Sequence, residues 1–317
     1  MNMAFCPVCN SRGQLIRYLE SKFILNQLEL YYNKKVPNDL GIIDYEMRRC
    51  QKCSLEWANP LQGGSSSFYQ WITGHSGYYP NKRWEWFIAI EQIKKKSSIS
   101  RDSLLEVGCG SGRFLELIAQ QIPDLSIIGL DTTITSVDLC RNKGLNVFSE
   151  TIESFSCNSG NMRKEFDFIV AFHCLEHVSN PKDFVSSMLS ILKPGGKIFL
   201  STPYSPMSFE AIWFDPLNHP PHHLTRWNIL SYNELARQLE LKCNHFMPSA
   251  DGVVGRALFA LNLARNGPAN LDSRNRMMGT ALHHPLTTLR ELMRQNRYQT
   301  VNNKTAANVV MVEFSRK

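Results

Sequence analysis

From Asp102 to Ser201 short apolar runs alternate with segments of helical period, and this alternation restricts the fold more than any other property of the chain. Leu104–Val107, Leu125–Leu130, Asn146–Phe148, Phe166–Phe172 and Lys197–Ser201 read as strands, and Arg113–Gln121, Thr135–Asn142 and Pro181–Leu192 as the helices between them. Phe166–Phe172 is almost continuously apolar, as a strand covered on both faces must be. Such an order predicts a doubly wound, Rossmann-like α/β sheet with right-handed crossovers. A helix over Ser231–Leu239 and strands at Leu241–Met247 and Asn308–Phe314 bring the expected sheet to seven strands. The roughly sixty residues between the last two strands are too long for a hairpin, so a helical insertion is expected over about 251–304.

The first strand runs into Glu106-Val-Gly108-Cys-Gly110-Ser-Gly112. Glycines there allow a sharp turn and the close approach of a ligand to the backbone. A second strand ends at Asp131, nineteen residues beyond Gly112, where a carboxylate accepts both hydroxyls of a ribose. A dinucleotide fingerprint wants its third glycine at position 113, which is Arg113, so the spacing favours a different nucleoside ligand.

Ahead of this region stand two Cys-x-x-Cys pairs, Cys6/Cys9 and Cys50/Cys53. Two knuckles complete a tetrahedral zinc site with no open position, which points to a structural metal. The segment between them, roughly Gln14 to Tyr45, is long for a compact zinc ribbon. A redox Cys-x-x-Cys fits less well, because such a motif usually opens a helix after a strand. Residues 1–60 therefore read as a zinc-binding module. Residues 61–98 read as a linker, flexible over Gln62–Ser67, followed by a lid or docking helix at Trp84–Lys96. Residues 99–317 form the α/β domain.

The 43% hydrophobic content supports a real core, and no apolar stretch approaches membrane-spanning length. With no secretory signal pattern at the amino terminus and an odd count of nine cysteines, a cytoplasmic location is expected. The net charge of +7 is dispersed and permits an anionic partner without demanding one.

The glycine loop, Gly129-Leu-Asp131, Phe166-Asp-Phe-Ile-Val, Leu175-Glu-His177-Val-x-x-Pro181 and Leu192-Lys-Pro-Gly-Gly196 together resemble the class I S-adenosylmethionine-dependent methyltransferases, of the ubiquinone-type and sugar methyltransferase-like subgroup, over about residues 102–245. The resemblance implies that Glu106, Gly108, Gly110 and Gly112 hold the methionine part of S-adenosylmethionine and that Asp131, with Thr132 beside it, holds the ribose. It also implies that Thr151 and Ile152 flank the adenine and that Phe172 and His173 border the sulfonium. Many relatives carry an aspartate where this chain has Thr151, so the backbone of Ile152 is the alternative adenine contact.

Methyl transfer to a hydroxyl or an acidic carbon needs a base, and histidine suits that task near neutral pH. His173, Glu176 and His177 line up with a Glu-x-x-Glu-His element that binds a divalent cation in ubiquinone-type O-methyltransferases, with His173 in place of the first glutamate. Glu176 and His177 equally read as a cap and brace for the following helix. A second cluster, His219, His222 and His223 followed by Arg226 and Trp227, lies on a proline-stiffened loop beyond the fifth strand. His223 is the first candidate base, His222 the next and His173 the third. A zinc site made from the loop histidines lacks the usual spacing.

The leading expectation is methyl transfer to a small-molecule or sugar-type acceptor of polysaccharide or natural-product biosynthesis, with nucleic acid an unlikely partner and no membrane span. The alternatives are an RNA base methyltransferase whose zinc module grips nucleic acid and a non-catalytic cofactor-binding scaffold.

Overall fold

The computed structural model describes residues 4–75, 78–96, 102–158, 165–247, 252–267, 285–301 and 308–317. The amino-terminal part consists of β1 (Gly13–Leu19), α1 (Ser21–Tyr32), β2 (Tyr45–Cys50) and β3 (Glu56–Asn59), followed by α2 (Ser66–Thr73) and α3 (Trp84–Lys96). β1, β2 and β3 pair in sequence, and β9 (Thr225–Arg226) completes an antiparallel four-stranded sheet. The long insertion between the knuckles is thus an outgoing strand, a helix and a returning strand. Register does the rest: Gly13 pairs with Cys50, which lays the first knuckle against the second.

The α/β part holds β4 (Ser103–Val107), β5 (Ser126–Leu130), β6 (Val147–Phe148), β7 (Phe166–Phe172), β8 (Leu192–Pro203), β10 (Leu241–Phe246) and β11 (Val309–Arg316). Their order is β10-β11-β8-β7-β4-β5-β6, with the seven strands parallel except where β11 enters antiparallel between β8 and β10. The seven-stranded, doubly wound sheet expected from the alternation is the one observed. Its helices are α4 (Arg113–Gln121), α5 (Ile134–Asn142), α6 (Ile152–Asn158), α7 (Pro181–Ser190) and α8 (Ile229–Gln238). Local chemistry sets several boundaries. Asn180 accepts from the Asp183 amide with Pro181 in the first turn, and Asn228 and Ser231 form a capping box at the start of α8.

Two segments differ from their sequence reading. Gln62–Ser67 is not a free linker throughout, because Ser65 caps α2 by accepting from the Phe68 amide at 3.2 Å, and Phe68 and Ile72 are buried. The region 251–304 contributes α9 (Val253–Asn266) and α10 (Pro285–Val301), while its middle, 268–284, lies outside the described residues, as does the boundary drawn at 98/99. No helix of the described residues is long and apolar enough to cross a membrane.

The two sheets share one core. A single apolar cluster runs from Cys6, Cys50 and Trp57 through Trp227 and Tyr232 to Ile198 and Val312 beneath the large sheet. Polar contacts fasten the same seam: Asn228 Nδ2 donates to the Ser54 carbonyl at 2.9 Å, and Lys52 Nζ meets Glu234 Oε1 at 3.0 Å. At its centre sits Arg226, 5% exposed, with Nη1 3.4 Å from Glu56 Oε2 of β3 and Nη2 paired with Glu210. Its Nε donates to Ser205 Oγ at 3.1 Å.

Removing this guanidinium leaves the largely buried Glu210 without its paired cation and buried Glu56 with only the half-exposed Arg49. Arg226→Met is therefore expected to cost about 3–5 kcal/mol in chemical denaturation, whereas a change below about 1 kcal/mol would show that the seam does not depend on it.

Candidate active site

The loop after β4 turns through Gly108, Gly110 and Gly112, all at positive φ. A Cβ on Gly108 would lie 2.3 Å from Cys174 Sγ, and one on Gly110 2.6 Å from the Tyr79 ring, so neither position accepts a side chain without rearrangement. Asp131, at the end of β5, braces this loop: Oδ2 accepts from the Gly110 amide at 2.8 Å and Oδ1 from the Thr133 amide at 2.8 Å. Glu106 is 4% exposed, and its Oε2 has no hydrogen-bond partner. Burial, followed by the neighbouring Cys140 and Asp131, pushes its pKa well above the usual carboxylate range. A buried, unpartnered carboxylate beside a side-chain-free cradle fits the amino group and backbone contacts of an amino-acid moiety.

Glu106, Gly108, Gly110, Asp131, Thr132, Thr151, Ile152, Phe172, His173, His222 and His223 all border one cavity of 1180 Å³. Gly112 stands behind it as the residue that opens α4. Thr151 spends its hydroxyl on α6, where Oγ1 accepts from the Ser154 amide at 3.2 Å, and Ile152 is buried beside it. The carboxylates flanking this pair, Glu150 and Glu153, also border the cavity. Phe172 packs edge-on against Phe114, with centroids 4.8 Å apart.

His173 follows β7 in a left-handed conformation, φ 53°. Its Nε2 lies 2.8 Å from Glu85 Oε1 of α3, and its Nδ1 lies 3.4 Å from Glu176 Oε1. Burial and the Arg83 charge oppose its protonated form, but Glu176 and Glu85 outweigh them and raise its pKa. Both ring nitrogens are thus turned toward carboxylates.

The loop histidines divide. His219 does not border the cavity: its Nδ1 donates to the Asp215 carbonyl at 2.8 Å, and its Nε2 lies 2.8 Å from Arg226 Nη1. His222 and His223 do border it, stacked with centroids 4.5 Å apart, and His177 stands edge-on to both at 4.6 and 4.7 Å. Burial, then the other histidines, pushes His222 down to about 3 and His223 well below the ordinary imidazole value. Asn218 accepts from His223 Nδ1 at 3.1 Å and donates through Nδ2 to Glu210 Oε1 at 2.8 Å, which links the catalytic candidate to the carboxylate paired with Arg226.

Several residues of the site are missed by motif reasoning. Tyr78, whose hydroxyl lies 3.0 Å from His222 Nε2, and Tyr79, against the glycine loop, come from the aromatic stretch between α2 and α3. Tyr31 and Tyr32 of α1 reach the same cavity from the amino-terminal part. Clustered aromatics were the available signal, but their direction depends on the packing of the two parts. Glu85 reads as an ordinary first-turn acid of a helix until its contact with His173 is known.

At the amino terminus the four cysteines converge. The Sγ separations are 3.6 Å for Cys6–Cys53, 3.4 Å for Cys9–Cys50 and 3.8 Å for Cys9–Cys53. A tetrahedron with zinc–sulfur bonds of about 2.3 Å has edges of about 3.8 Å, and a disulfide would need about 2.0 Å. The Lys52 and Cys53 amides also point at Cys50 Sγ, at 3.3 and 3.4 Å, as donors toward a thiolate do. The donor set fits a closed four-sulfur site.

The sheet order, the glycine loop braced by an acid at the end of the next strand, and the cavity at the strands' carboxyl ends define an α/β fold of the class I methyltransferase type. Residues 85–245, half of the chain, match the family described as a methyltransferase domain, and the chain belongs to that family. It is similar to the mitochondrial ubiquinone biosynthesis O-methyltransferase of Dictyostelium discoideum, 31% identical over 114 residues, 32% of this chain and 35% of that protein. It is also similar to the ubiquinone biosynthesis O-methyltransferase of Methylococcus capsulatus, 31% identical over 117 residues, 36% and 49% of the two chains. The match thus spans a third to a half of these relatives' length. Among solved structures, a SAM dependent methyltransferase from Archaeoglobus fulgidus aligns with 78% of this chain and 97% of its own at 15% identity and a TM-score of 0.47.

Burial, then the Arg226 charge, holds His219 neutral, with its folded pKa well below the ordinary 6.5. Below that pH the unfolded chain binds the proton and the folded one does not, so stability falls as pH falls. Between about pH 6.5 and about pH 5.5 this histidine alone should cost about 1 kcal/mol. Thermal unfolding across this range should show a shallower loss for His219→Asn than for the unsubstituted protein, and parallel curves would contradict the assignment.

Proposed function

We propose that the protein transfers a methyl group from S-adenosylmethionine to a small-molecule or sugar-type acceptor, assisted by histidine. The observation that carries this reading is the partnerless Glu106 carboxylate beside the glycine cradle, on a cavity whose other end holds neutral histidines. When bound, S-adenosylmethionine supplies an electrophilic methyl group whose in-line transfer extinguishes the sulfonium charge. Glu106 and the amides of the 108–112 loop would hold its methionine part, Asp131 and Thr132 its ribose, and Thr151 and Ile152 would flank the adenine. Phe172 and His173 would border the sulfur.

Proximity supplies most of the acceleration in such a displacement, and the remaining demand is for a proton acceptor. His223 presents a neutral imidazole to the cavity with its tautomer held by Asn218, and His222 stands next to it. His173 takes a positioning part instead, because its two nitrogens face Glu85 and Glu176 and fasten α3 over the strand ends. The cavity exceeds the roughly 300–1,000 Å³ of ordinary ligand sites, which leaves room for donor and acceptor together. Tyr31, Tyr32 and Tyr69 would give the acceptor an aromatic wall.

The four cysteines are assigned a structural zinc ion, and residues 1–60 the part of a module that shapes acceptor access beside the 99–317 domain. Arg48 and Arg49 of this module are paired with Glu46 and Glu56, which favours an acceptor-shaping part over a grip on RNA.

Two experiments test the reading. Titration with S-adenosylmethionine should give a binding constant that Asp131→Ala weakens about 10- to 100-fold. His223→Ala should leave that constant near its original value while turnover on a panel of phenolic and sugar acceptors falls about 10²- to 10⁴-fold. Equal losses in both quantities would mean a collapsed pocket, and no binding by the unsubstituted protein would end the proposal. For the cysteines, metal analysis should show that Cys50→Ser loses one equivalent of zinc with a lowered melting temperature; unchanged zinc and melting would contradict the four-sulfur site.

A further inference from the structure

The histidines that meet at the cavity are not the ones adjacent in sequence. His219 is withdrawn into the Arg226 network, and His177, from the turn Leu175–His177 after β7, joins His222 and His223 instead. One ring nitrogen of each of the three lies within 4.8 Å of the others. The Nδ1 atoms are already engaged: His177 with the His222 carbonyl at 2.6 Å, His222 with the Leu217 carbonyl at 2.7 Å, and His223 with Asn218 Oδ1 at 3.1 Å. A carbonyl oxygen only accepts, so each Nδ1 is the donor in its contact and Nε2 is the nitrogen of each ring left to face a ligand.

His222 Nε2 meets the Tyr78 hydroxyl at 3.0 Å at the cavity wall that His177 and His223 also border. Three imidazoles converging on one cavity wall make a donor set suited to a transition-metal cation. Its outer nitrogens are also anchored as metal-binding imidazoles require, and for His223 the anchor is backed by Glu210 through Asn218.

We propose that His177, His222 and His223 form a three-nitrogen site for a divalent transition-metal ion at the acceptor end of the cavity, open on its remaining positions to an oxygen-donor acceptor. The site shares His177 with the Glu-x-x-Glu-His element but uses neither of its other two positions, because His173 and Glu176 lie against each other and His173 against Glu85. Imidazole donors select zinc, iron(II), nickel or copper over magnesium and calcium, and three protein ligands leave a position for substrate. The four-sulfur cluster, by contrast, is closed.

The chemistry of this site rests on the methyl-transfer reading of the same cavity. A bound cation lowers the pKa of a coordinated hydroxyl, whose proton passes to solvent. The oxygen–methyl bond then forms as the methyl–sulfur bond breaks, with the electron pair of that bond remaining on sulfur as a neutral thioether. In the loaded protein the ion would take over the activation of the acceptor from the free His223 imidazole, and His223 would orient the acceptor through it.

Protein produced with cobalt as the supplied transition metal, examined by metal analysis and visible absorption, separates the two sites. Two equivalents per chain are expected, one with thiolate-to-cobalt charge transfer and one without. His222→Ala and His177→Gln should each lose the second equivalent while keeping the thiolate bands, which also report that the variant has folded. A single equivalent in the unsubstituted protein, or a second one retained in both variants, would overturn the proposal. S-adenosylhomocysteine titrated into the same samples reports on the cofactor reading alone: two equivalents of cobalt without nucleoside binding would sustain the metal site and remove the methyltransferase reading.

Discussion

A guanidinium buried between two carboxylates organises this molecule. Arg226 belongs to the strand that completes the amino-terminal sheet, and its charge is met by Glu56 on one side and Glu210 on the other. Buried charges persist only where pairing and hydrogen bonds compensate their desolvation, so the position of each partner is tightly set. Glu210 passes that constraint on, because the same carboxylate accepts from Asn218, which fixes the ring of His223. His219 supplies a further acceptor to the guanidinium and is lost to the cavity for that reason. The joint between the two sheets and the chemistry of the cavity are therefore parts of one network.

This arrangement divides the labour of the cavity. The strands and glycine loop of the large sheet form a rigid cradle at one end, braced by Asp131. The other end is built from elements that belong to neither sheet alone: the proline- and histidine-rich loop, the turn after β7, and aromatic residues from α1 and from the chain between α2 and α3. A cradle of that kind suits a constant ligand, and a composite wall suits a variable one. The cysteine cluster matters here through the seam it stabilises, since it belongs to the same apolar core as Trp57 and Trp227.

The legible parts of the fold were those with local grammar. Strand–helix alternation, the turn required by Gly108 and Gly110, and the acid closing the second strand are short-range patterns, and the seven-stranded sheet with its cradle follows from them. The spacing of the cysteines likewise brought the four sulfurs together, although it was the pairing of Gly13 with Cys50 that made the long insertion harmless. Partnerships across distant segments were not legible. Nothing in the sequence near Thr225 announces a strand that pairs with Trp57, and nothing near Glu85 announces His173. The exchange of His219 for His177 has the same cause: adjacency in sequence brings three histidines onto one loop, while the charge of Arg226 decides which of them face the cavity.

The central claim is that a nucleoside sulfonium on the cradle faces the histidine wall. A crystal structure with S-adenosylhomocysteine tests it most directly. The account predicts the amino group at Glu106, the ribose at Asp131, and the sulfur beside Phe172 with its vacant face toward His222 and His223. A ligand bound elsewhere, or one whose sulfur is turned away from those rings, would contradict it.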